Sequence, residues 1–409
     1  MRILILTPQL PYPPHQGTTL RNFNLIAGLA RRHDIDLQCF ARPGSDLEHI
    51  QPLRNVCRRI DVLTQPTRTL RQRLWTTLAS PRPDMAHRLA STAFQTRLQE
   101  TLQAHRYEVI ELEGIEMAPY LPAILDHANR SPPRPLIVFD DHNAEYLLQK
   151  RVFEADIGRP RRWPGALYSW IQWHKLKRYE AWVCRTVDAV AAVSDQDATT
   201  LRELAPQMKN IAVVPNGVDI AAYTSFTLQT PILTPHSLLF TGTMDFRPNV
   251  DAVLWFVDQV LPRIRQQVAD ATLYVVGQRP HRRLAPLHGR PGVVITGRVP
   301  DTRPYLASAG VYVIPLRSGG GTRLKVLEAM AMKKPIVSTT MGCDGYPITS
   351  GQEALLVDDP AQFAEQVIQL LADPRRGQQL AEAGFAFARQ YDWANIVPKL
   401  ESLYAAACV

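Results

Sequence analysis

Short apolar runs alternate with helix-like segments along almost the whole chain, and this alternation limits the fold more than any other feature. A strand of a parallel sheet that is covered by helices on both faces reads as a short, continuous apolar run. Such runs occur at residues 3–7, 35–40, 60–63, 109–112, 136–139, 187–193 and 211–214, and again at 238–241, 273–276, 293–295, 311–314, 336–338 and 355–357. The pattern predicts an α/β protein built from doubly wound parallel sheets.

The runs form two series, separated by a Thr- and Pro-rich stretch at 227–236 without periodicity. The chain has 409 residues, and single cores tend to split beyond about 250–300 residues. We therefore predict two Rossmann-like domains, at 1–218 and 237–390, joined by a linker at 219–236. The final segment, 391–409, is predicted to be a helix that returns to the first domain.

Two helices of the first domain are predicted from their 3.6-residue periodicity. One covers 22–32 and has Phe23, Ile26, Ala27 and Ala30 on one face. The other covers 166–185. Both fit between predicted strands, as a doubly wound sheet requires.

Composition excludes several classes of protein. With 45% hydrophobic and 21% charged residues, the chain is typical of globular proteins. The apolar N-terminus reaches Pro8 without a small-residue cleavage site, so it is interpreted as a strand and not as a signal peptide. No apolar run approaches the roughly 18 residues of a membrane span, and we expect a cytoplasmic protein.

The cysteines and the net charge limit the ligands. Cys39, Cys57, Cys184, Cys343 and Cys408 form no C-x-x-C pair, which argues against a disulfide framework and against a zinc site. The net charge of +8 fits nucleic acid, anionic lipid or phosphate-bearing small molecules. Nucleic acid is disfavoured because the basic residues are dispersed and no known binding motif occurs.

The predicted helix at 166–185 lies in a region rich in tryptophan and basic residues. Trp163, Trp170, Trp173 and Trp182 occur there, among basic side chains that include Arg159. One interpretation is a peripheral patch on an anionic membrane. The spacing of the last three tryptophans slightly favours the other interpretation, a helix that packs its aromatic side chains into the core.

The most informative segment is a predicted strand at 311–314 that is followed by Gly319, Gly320 and Gly321 and then by a helix. Ligands of such sheets bind at the carboxyl ends of the strands, where glycines let backbone N–H groups approach a phosphate at the positive end of a helix. Arg323 and Lys325 are unfavourable at a helix start unless an anion binds there. Together with the amides of Thr322 and Leu324, they predict a diphosphate site. The G-x-x-x-x-G-K-[ST] spacing of a nucleoside-triphosphate loop does not occur.

Glu328 lies three residues after Lys325, on the same side of the predicted helix. Leu324, Leu327 and Ala331 are predicted to form the apolar stripe that faces the core. Glu328 would then accept hydrogen bonds from a ribose diol. The alternative is a flexible loop followed by an ordinary surface pair between Lys325 and Glu328.

Two polar segments follow strands of the first domain. His142, directly after one strand, is a candidate polar contact for a sugar, although a lone histidine is more often structural. Glu111, Glu113 and Glu116 follow another strand, and a solvated acidic loop is the favoured interpretation for any one of them. Gly17 alone indicates only a turn.

The D-x-D pairs Asp34–Asp36 and Asp195–Asp197 are assigned to structure, with Ser194 and Asp195 as helix caps. No cluster of histidine, cysteine and carboxylate residues stands out as a metal site.

These motifs resemble those of the family 4 (group 1) retaining glycosyltransferases of the GT-B type, over nearly the whole chain. The similar segments are the first strand with Gly17, residues 214–219, Gly242 with its neighbours, the glycine loop, and 391–393. The resemblance is closest to bacterial enzymes that build exopolysaccharide or other cell-surface glycans. It implies two Rossmann-like domains with a cleft between them, the first on the acceptor side and the second binding a nucleotide-diphosphate sugar. It also implies a metal-independent, cofactor-free transfer to a glycan, lipid-linked or small-molecule acceptor.

The resemblance also assigns site residues. Glu328 matches the second glutamate of the family's motif, which implies ribose binding, whereas Gly320 replaces the first glutamate. Gly17 and Gly242 match donor-binding glycines, and His142 matches a histidine-containing loop. The family's Arg and Lys pair is not plainly present; Arg247 lies nearby, and Arg323 and Lys325 look like its substitutes.

The implied mechanism is departure of the nucleoside diphosphate with attack by the acceptor on the same face of the sugar. Lys325 and Arg323 would stabilise the leaving group. Two alternatives stay open from the sequence: a nucleotide-sugar epimerase of the same architecture, and a basic nucleic-acid-binding protein.

Overall fold

The computed structural model describes residues 1–14, 16–45, 47–48, 50–158 and 160–407. Arg159 and Cys408 lie outside the described residues. The chain divides into two compact units: unit 1 comprises residues 1–216 together with the chain from Trp393 onward, and unit 2 comprises Gly217–Asp392.

Unit 1 contains a seven-stranded parallel sheet with the order β3-β2-β1-β4-β5-β6-β7. Its strands are β1 (Arg2–Thr7), β2 (Asp34–Ala41), β3 (Arg59–Thr64), β4 (Val109–Glu113), β5 (Leu136–Asp141), β6 (Ala189–Ala192) and β7 (Ile211–Val213). Its first helices are α1 (Gly17–Leu29), α2 (Gln51–Arg54), α3 (Leu70–Ala79), α4 (Asp84–Arg88), α5 (Thr92–Ala104), α6 (Leu121–Arg130), α7 (Glu145–Ile157), α8 (Trp163–Thr186) and α9 (Asp195–Leu204).

Unit 2 contains a six-stranded parallel sheet with the order β10-β9-β8-β11-β12-β13. Its strands are β8 (Ser237–Thr241), β9 (Thr272–Val276), β10 (Val293–Gly297), β11 (Val311–Ile314), β12 (Ile336–Ser338) and β13 (Leu355–Leu356). Its helices are α10 (Ile220–Thr224), α11 (Arg247–Trp255), α12 (Leu261–Gln267), α13 (Arg303–Ser308), α14 (Leu324–Ala331), α15 (Pro360–Ala372) and α16 (Pro374–Ala388), with a π-helical turn at Phe256–Val260 between α11 and α12. The last helix, α17 (Trp393–Ala407), belongs to unit 1.

Both sheets have the doubly wound strand order, which confirms the predicted fold class. In each sheet the order reverses beside the first strand, between β1 and β4 in unit 1 and between β8 and β11 in unit 2. Ligands of such folds bind outside the carboxyl ends of the strands at this switch point. The fold therefore marks one edge of each sheet as the place to look for a site.

The boundary between the units differs from the predicted one. The division falls between Asn216 and Gly217, and the predicted linker 219–236 begins with α10, which Asp219 caps and which belongs to unit 2. Its side chains Ile220 and Tyr223 pack against the core of unit 2. In unit 1, α17 lies against α1, where Val397 contacts Gly28 so closely that no Cβ would fit.

The predicted apolar face of α1 is wrong by about one position. The buried apolar residues are Leu25, Ile26 and Leu29, whereas Phe23, Ala27 and Ala30 are only half-buried. The reason is that α1 also buries the polar residues Arg21 and Asn22, so its inner side is not its most apolar side.

The core stripe predicted for α8 is also wrong in part. Trp173 and Trp182 pack against the core of unit 1, but Trp170 and Trp163 are exposed. The buried residues of α8 instead combine small and polar side chains such as Ala166 with larger apolar ones such as Leu176, which a search for tryptophan spacing overlooks. Across the described residues, no helix has both the length and the apolar character that a membrane span requires.

Candidate active site

Lys325, the second residue of α14, lies at the switch point of unit 2. Its half-buried side chain donates from Nζ to the carbonyl oxygen of Thr241 at 2.6 Å and to Oδ1 of Asn249 at 3.2 Å. The same Nζ lies 4.2 Å from the centroid of the Phe240 ring. Because Thr241 ends β8 and α14 follows β11, Lys325 connects the two strands at which the sheet order reverses.

The environment of Lys325 disfavours its charge. Burial, and after it the charge of Arg323, lowers the pKa of Lys325 from the ordinary value of 10.5 to about 7, and Glu328 opposes this shift. An ammonium that is destabilised in this way gains from a nearby anion, because the anion restores the favourable interaction that burial removed. An anion bound beside Lys325 would therefore favour its protonated form.

The loop between β11 and α14 depends on its glycines. Gly319 and Gly321 have φ angles of 111° and 78°, in the left-handed region that favours glycine. Arg323, directly before α14, is buried, and its Nη1 donates to the carbonyl oxygen of Gly320 at 2.8 Å. The arginine thus holds the loop folded against the first turn of the helix.

Glu328, one turn further along α14, is half-buried and hydrogen-bonded to the hydroxyl of Tyr223. Burial raises the pKa of Glu328, while Tyr223 and Lys325 oppose the shift. The alternative of an ordinary surface pair is wrong, because Lys325 hydrogen-bonds to Thr241 and Asn249 and neither side chain is exposed.

The predicted apolar stripe of α14 needs one correction. Leu327 and Ala331 are buried as predicted, but Leu324 is only half-buried. Val326 and Met330 complete the buried face instead. Leu324 begins the helix beside the glycine loop, before the helix reaches the core.

Gly242 directly follows β8, beside Lys325. A Cβ at this position would lie 2.7 Å from Nδ2 of Asn249 and 2.9 Å from Nζ of Lys325, so a side chain would displace both groups. Arg247 is exposed at the first residue of α11, the helix that also carries Asn249. The structure thus brings Gly242 and Lys325 together and leaves Arg247 at the surface.

A buried polar cluster lies at the carboxyl ends of β4 and β5 in unit 1. Nε2 of His142 lies 2.8 Å from Oε2 of Glu113. Next to this pair, Arg21 donates from Nε and Nη2 to the two oxygens of Asp140 at 2.9 and 2.8 Å, and both side chains are fully buried. The sequence analysis missed the pairing of Arg21 with Asp140, because the two residues are 119 positions apart and no local pattern connects them.

The interpretation of a solvated acidic loop is wrong for Glu111 and Glu113, which are fully buried in β4. Glu111 accepts a hydrogen bond from the hydroxyl of Tyr404 in α17. Glu116 is partly exposed in a short 3-10 helix after the strand. Glu111 lies within the predicted strand, and β4 extends one residue beyond the predicted end, so it takes Glu113 inside as well.

Burial shifts both members of the His142–Glu113 pair toward their uncharged forms. It raises the pKa of Glu113, with a further contribution from Asp140 and an opposing one from Arg21. It lowers the pKa of His142. Both shifts have the same main cause, the removal of the two side chains from water.

His142 also lines a cavity of about 320 Å³ in unit 1. Acidic and basic side chains line the same cavity, among them Arg42, Arg88, Glu116 and Glu145. Burial raises the pKa of Glu145 to about 7. Gly17 is exposed at the start of α1, and the next residue, Thr18, reaches the cavity wall.

Three side chains of this cluster come close enough to share a metal ion, which the sequence analysis did not find. One ligand atom from each of Glu113, Asp140 and His142 lies within 4.8 Å of the others. Arg21 already neutralises Asp140 through two hydrogen bonds, and a cation would have to displace it or lie beside it. In the structure these side chains form the Arg21–Asp140 ion pair and the His142–Glu113 hydrogen bond.

The D-x-D motif assigned to structure behaves as predicted at Ser194, which caps α9.

Comparison with known proteins identifies the class. Residues 16–222 match Glycosyltransferase Family 4, and residues 235–373 match Glycosyl transferases group 1. The first match alone covers half of the chain. The chain therefore belongs to the family 4, group 1 glycosyltransferases, as the sequence resemblance predicts.

Individual relatives are distant. A glycogen synthase of Mycobacterium tuberculosis is 26% identical over 278 residues, a match that spans 63% of this chain and 62% of the relative, less than two thirds of its length. An uncharacterized 44.6 kDa protein in the cps region of Klebsiella pneumoniae is 20% identical over 407 residues, or 96% of each chain. The crystal structure of Anabaena HepE in complex with UDP has a TM-score of 0.67 at 15% identity and covers 99% of this chain and 100% of that chain. This likeness confirms the GT-B fold.

Proposed function

We propose that this protein transfers a sugar from a nucleoside-diphosphate sugar to an acceptor, with retention of the anomeric configuration. The observation that carries the proposal is the position of Lys325. Its ammonium, with a pKa lowered to about 7, lies at the switch point of unit 2 beside a glycine loop that opens a helix. HepE, which shares the fold, was crystallised with UDP, and this supports a nucleotide donor.

In this proposal unit 2 binds the donor. The backbone N–H groups of the glycine loop and of Thr322 and Leu324, at the start of α14, hold the diphosphate. Lys325 and Arg323 neutralise its charge. Glu328 accepts hydrogen bonds from the ribose one turn later.

Two further positions complete the donor site. The absence of a side chain at Gly242 allows close approach of the ligand to the end of β8, because even a Cβ would crowd Lys325. Arg247, exposed at the start of α11, adds positive charge.

The chemical step needs stabilisation of the leaving group more than it needs a nucleophile on the protein. The bond between the anomeric carbon and the diphosphate oxygen breaks, and the acceptor oxygen bonds to the same face of the sugar. The acceptor's proton passes to the departing diphosphate oxygen. Negative charge grows on the diphosphate during this step, and fixed positive groups such as Lys325 and Arg323 favour the transition state over the ground state.

Unit 1 has the acceptor role. The cavity of about 320 Å³ beside His142 is polar and carries both acidic and basic side chains, which suits a hydroxylated acceptor such as a glycan, the head of a lipid-linked glycan, or a small sugar. His142 contacts the transferred sugar through its ring. Glu113 fixes the orientation of that ring through the 2.8 Å hydrogen bond.

A panel of nucleotide sugars tests the proposal. A ligand at 100 times its dissociation constant stabilises the folded state by about 2.7 kcal/mol, so a melting-temperature screen finds the donor. The matched nucleotide sugar is then incubated with candidate acceptors, and the anomeric configuration of the product is read by NMR. Release of nucleoside diphosphate that depends on the acceptor, with an α-linked product from an α-linked donor, is the expected result.

The comparisons do not favour the two alternatives, and the same assay separates them. An epimerase would change the sugar of the donor without any acceptor. A nucleic-acid-binding protein would give no melting shift with any nucleotide sugar. Either result would overturn the proposal.

A further inference from the structure

Helix α3 exposes a stripe of large apolar side chains. Leu70, Leu74 and Leu78 follow at intervals of four residues, and Trp75 lies beside them. These four side chains are between 64% and 78% exposed. Apolar residues scattered singly on a surface are normal, but a contiguous row along one helix marks an interaction surface.

The stripe does not result from a loose or frayed helix. Thr69 and Gln72 cap the N-terminus of α3 through reciprocal hydrogen bonds. At the C-terminal end, Nζ of Lys175 in α8 donates to the carbonyl oxygens of Thr77 and Ser80 at 2.5 and 2.6 Å. The helix is therefore held against unit 1 in a fixed orientation, with its apolar stripe outward.

The neighbouring helix α8 carries a second exposed stripe. Trp163, Leu167 and Trp170 recur at intervals of four and three residues and are between 45% and 60% exposed. The buried residues of α8, such as Ser169 and Leu176, lie on another side of the helix. Tyr168 of α8 hydrogen-bonds to Arg73 of α3, which adds a second link between the two helices.

All exposed charge on the two helices is positive. Helix α3 contains Arg71 and Arg73 and no acidic residue, and both arginines are exposed. The only acidic residue of α8, Glu180, is fully buried, where it accepts hydrogen bonds from backbone N–H groups. Lys177 and Arg178 extend the exposed basic charge along α8.

A basic cavity of about 310 Å³ opens beside α3. Its charged walls are Arg68, Arg73 and Arg88 against the single carboxylate of Asp84. The excess of guanidinium groups suits a phosphate, which arginine binds through paired hydrogen bonds.

We propose that the apolar stripes of α3 and α8 dock this protein on the surface of an anionic lipid bilayer. Leucine and tryptophan side chains enter the boundary between headgroups and acyl chains, while the flanking arginines and lysines face the anionic headgroups. A second copy of the chain is a poorer occupant, because pairing two such surfaces would bring basic residues together without any exposed carboxylate on either helix to offset them.

Co-sedimentation with vesicles tests this proposal without an activity assay. The full chain is mixed with vesicles of phosphatidylcholine alone or with about one third phosphatidylglycerol. We expect binding to the anionic vesicles that weakens in high salt. The double variant L74E/W75E should bind at least about tenfold more weakly, since two large apolar side chains no longer enter the bilayer.

The controls separate docking from folding and from self-association. Ile232→Glu changes a side chain of unit 2 that is 50% exposed, and it should bind like the wild type. The milder W75A keeps the helix and should give an intermediate affinity if L74E/W75E lowers the melting temperature. Failure of the wild-type chain to bind anionic vesicles, or binding by L74E/W75E that equals that of the wild type, refutes the proposal. So does a wild-type dimer in ultracentrifugation that L74E/W75E dissociates while vesicle binding is unchanged.

Discussion

The pKa of Lys325 leads to a quantitative prediction about nucleotide binding. In the free protein burial lowers this pKa from 10.5 to about 7. A bound diphosphate would return it toward 10.5, because the anion favours the protonated amine. Binding and protonation of Lys325 are therefore linked, and affinity should fall as the pH rises above 7.

The size of the effect follows from the protonated fraction of Lys325. With a pKa of about 7, the free protein is about half protonated at pH 7 and about one hundredth protonated at pH 9. The affinity for a nucleoside diphosphate should then fall roughly fiftyfold over this range, equivalent to about 2.3 kcal/mol. At pH 8, binding should take up about 0.9 proton.

The stability of the unliganded protein changes with pH in the opposite direction to its affinity for the nucleotide. Since the folded pKa of about 7 is lower than the unfolded value near 10.5, the unfolded chain binds more protons between these two pH values. Lys325 therefore makes the unliganded protein more stable as the pH rises through this window, while ligand binding weakens.

Isothermal titration calorimetry with UDP, GDP and ADP measures both quantities. Titrations at pH 7, 8 and 9 give the affinity, and two buffers of different ionisation enthalpy give the proton uptake. The range starts at pH 7 because the second phosphate pKa, at about 6 for phosphate monoesters, then contributes little.

Lys334 offers a matched control within unit 2. Burial lowers its pKa to about 8, and its Nζ donates to the carbonyl oxygens of Ala307 and Ala309 at 2.6 and 3.1 Å. Lys334→Met should keep the pH dependence of binding, whereas Lys325→Met should abolish it. A flat pH profile in the wild type, or the same steep profile in the Lys325 variant, would show that Lys325 does not contact the diphosphate.

Three further predictions concern the remaining site residues. Glu328→Gln should raise the donor KM with little change in kcat, because a weakened charge-assisted hydrogen bond costs about 1.5–3 kcal/mol of binding free energy. The control is Tyr223→Phe, which leaves the carboxylate in place. Unchanged kinetics in both variants would show that this helix does not bind the ribose. His142→Ala should lower turnover more than the affinity for free nucleoside diphosphate, and weak nucleotide binding with normal turnover at saturation would assign His142 another role. Activity should survive exhaustive chelation with EDTA, because basic residues take the place of a metal at the diphosphate; a loss that Mg²⁺ or Mn²⁺ restores would point instead to Glu113, Asp140 and His142 as ligands.

The sequence alone determined the architecture. Every predicted strand is present, with ends that differ by a residue or two, because a strand buried on both faces is mostly apolar and this pattern is visible locally. The glycine loop and the helix after it were predictable for the same reason. Left-handed glycines and a helix start are features of adjacent residues, visible at Gly319, Gly321 and Arg323 without knowledge of the rest of the chain.

Only the tertiary structure decided which side chains meet. Arg21 and Asp140 are 119 positions apart, and Lys325 reaches a carbonyl 84 positions earlier. Such contacts depend on the order of the strands, which brings distant strand ends to one edge of a sheet. Burial is decided at the same level: it takes Glu113 inside, leaves Trp170 and the α3 stripe outside, and lowers the pKa of Lys325, because desolvation depends on everything packed around a group and not on its neighbours in sequence.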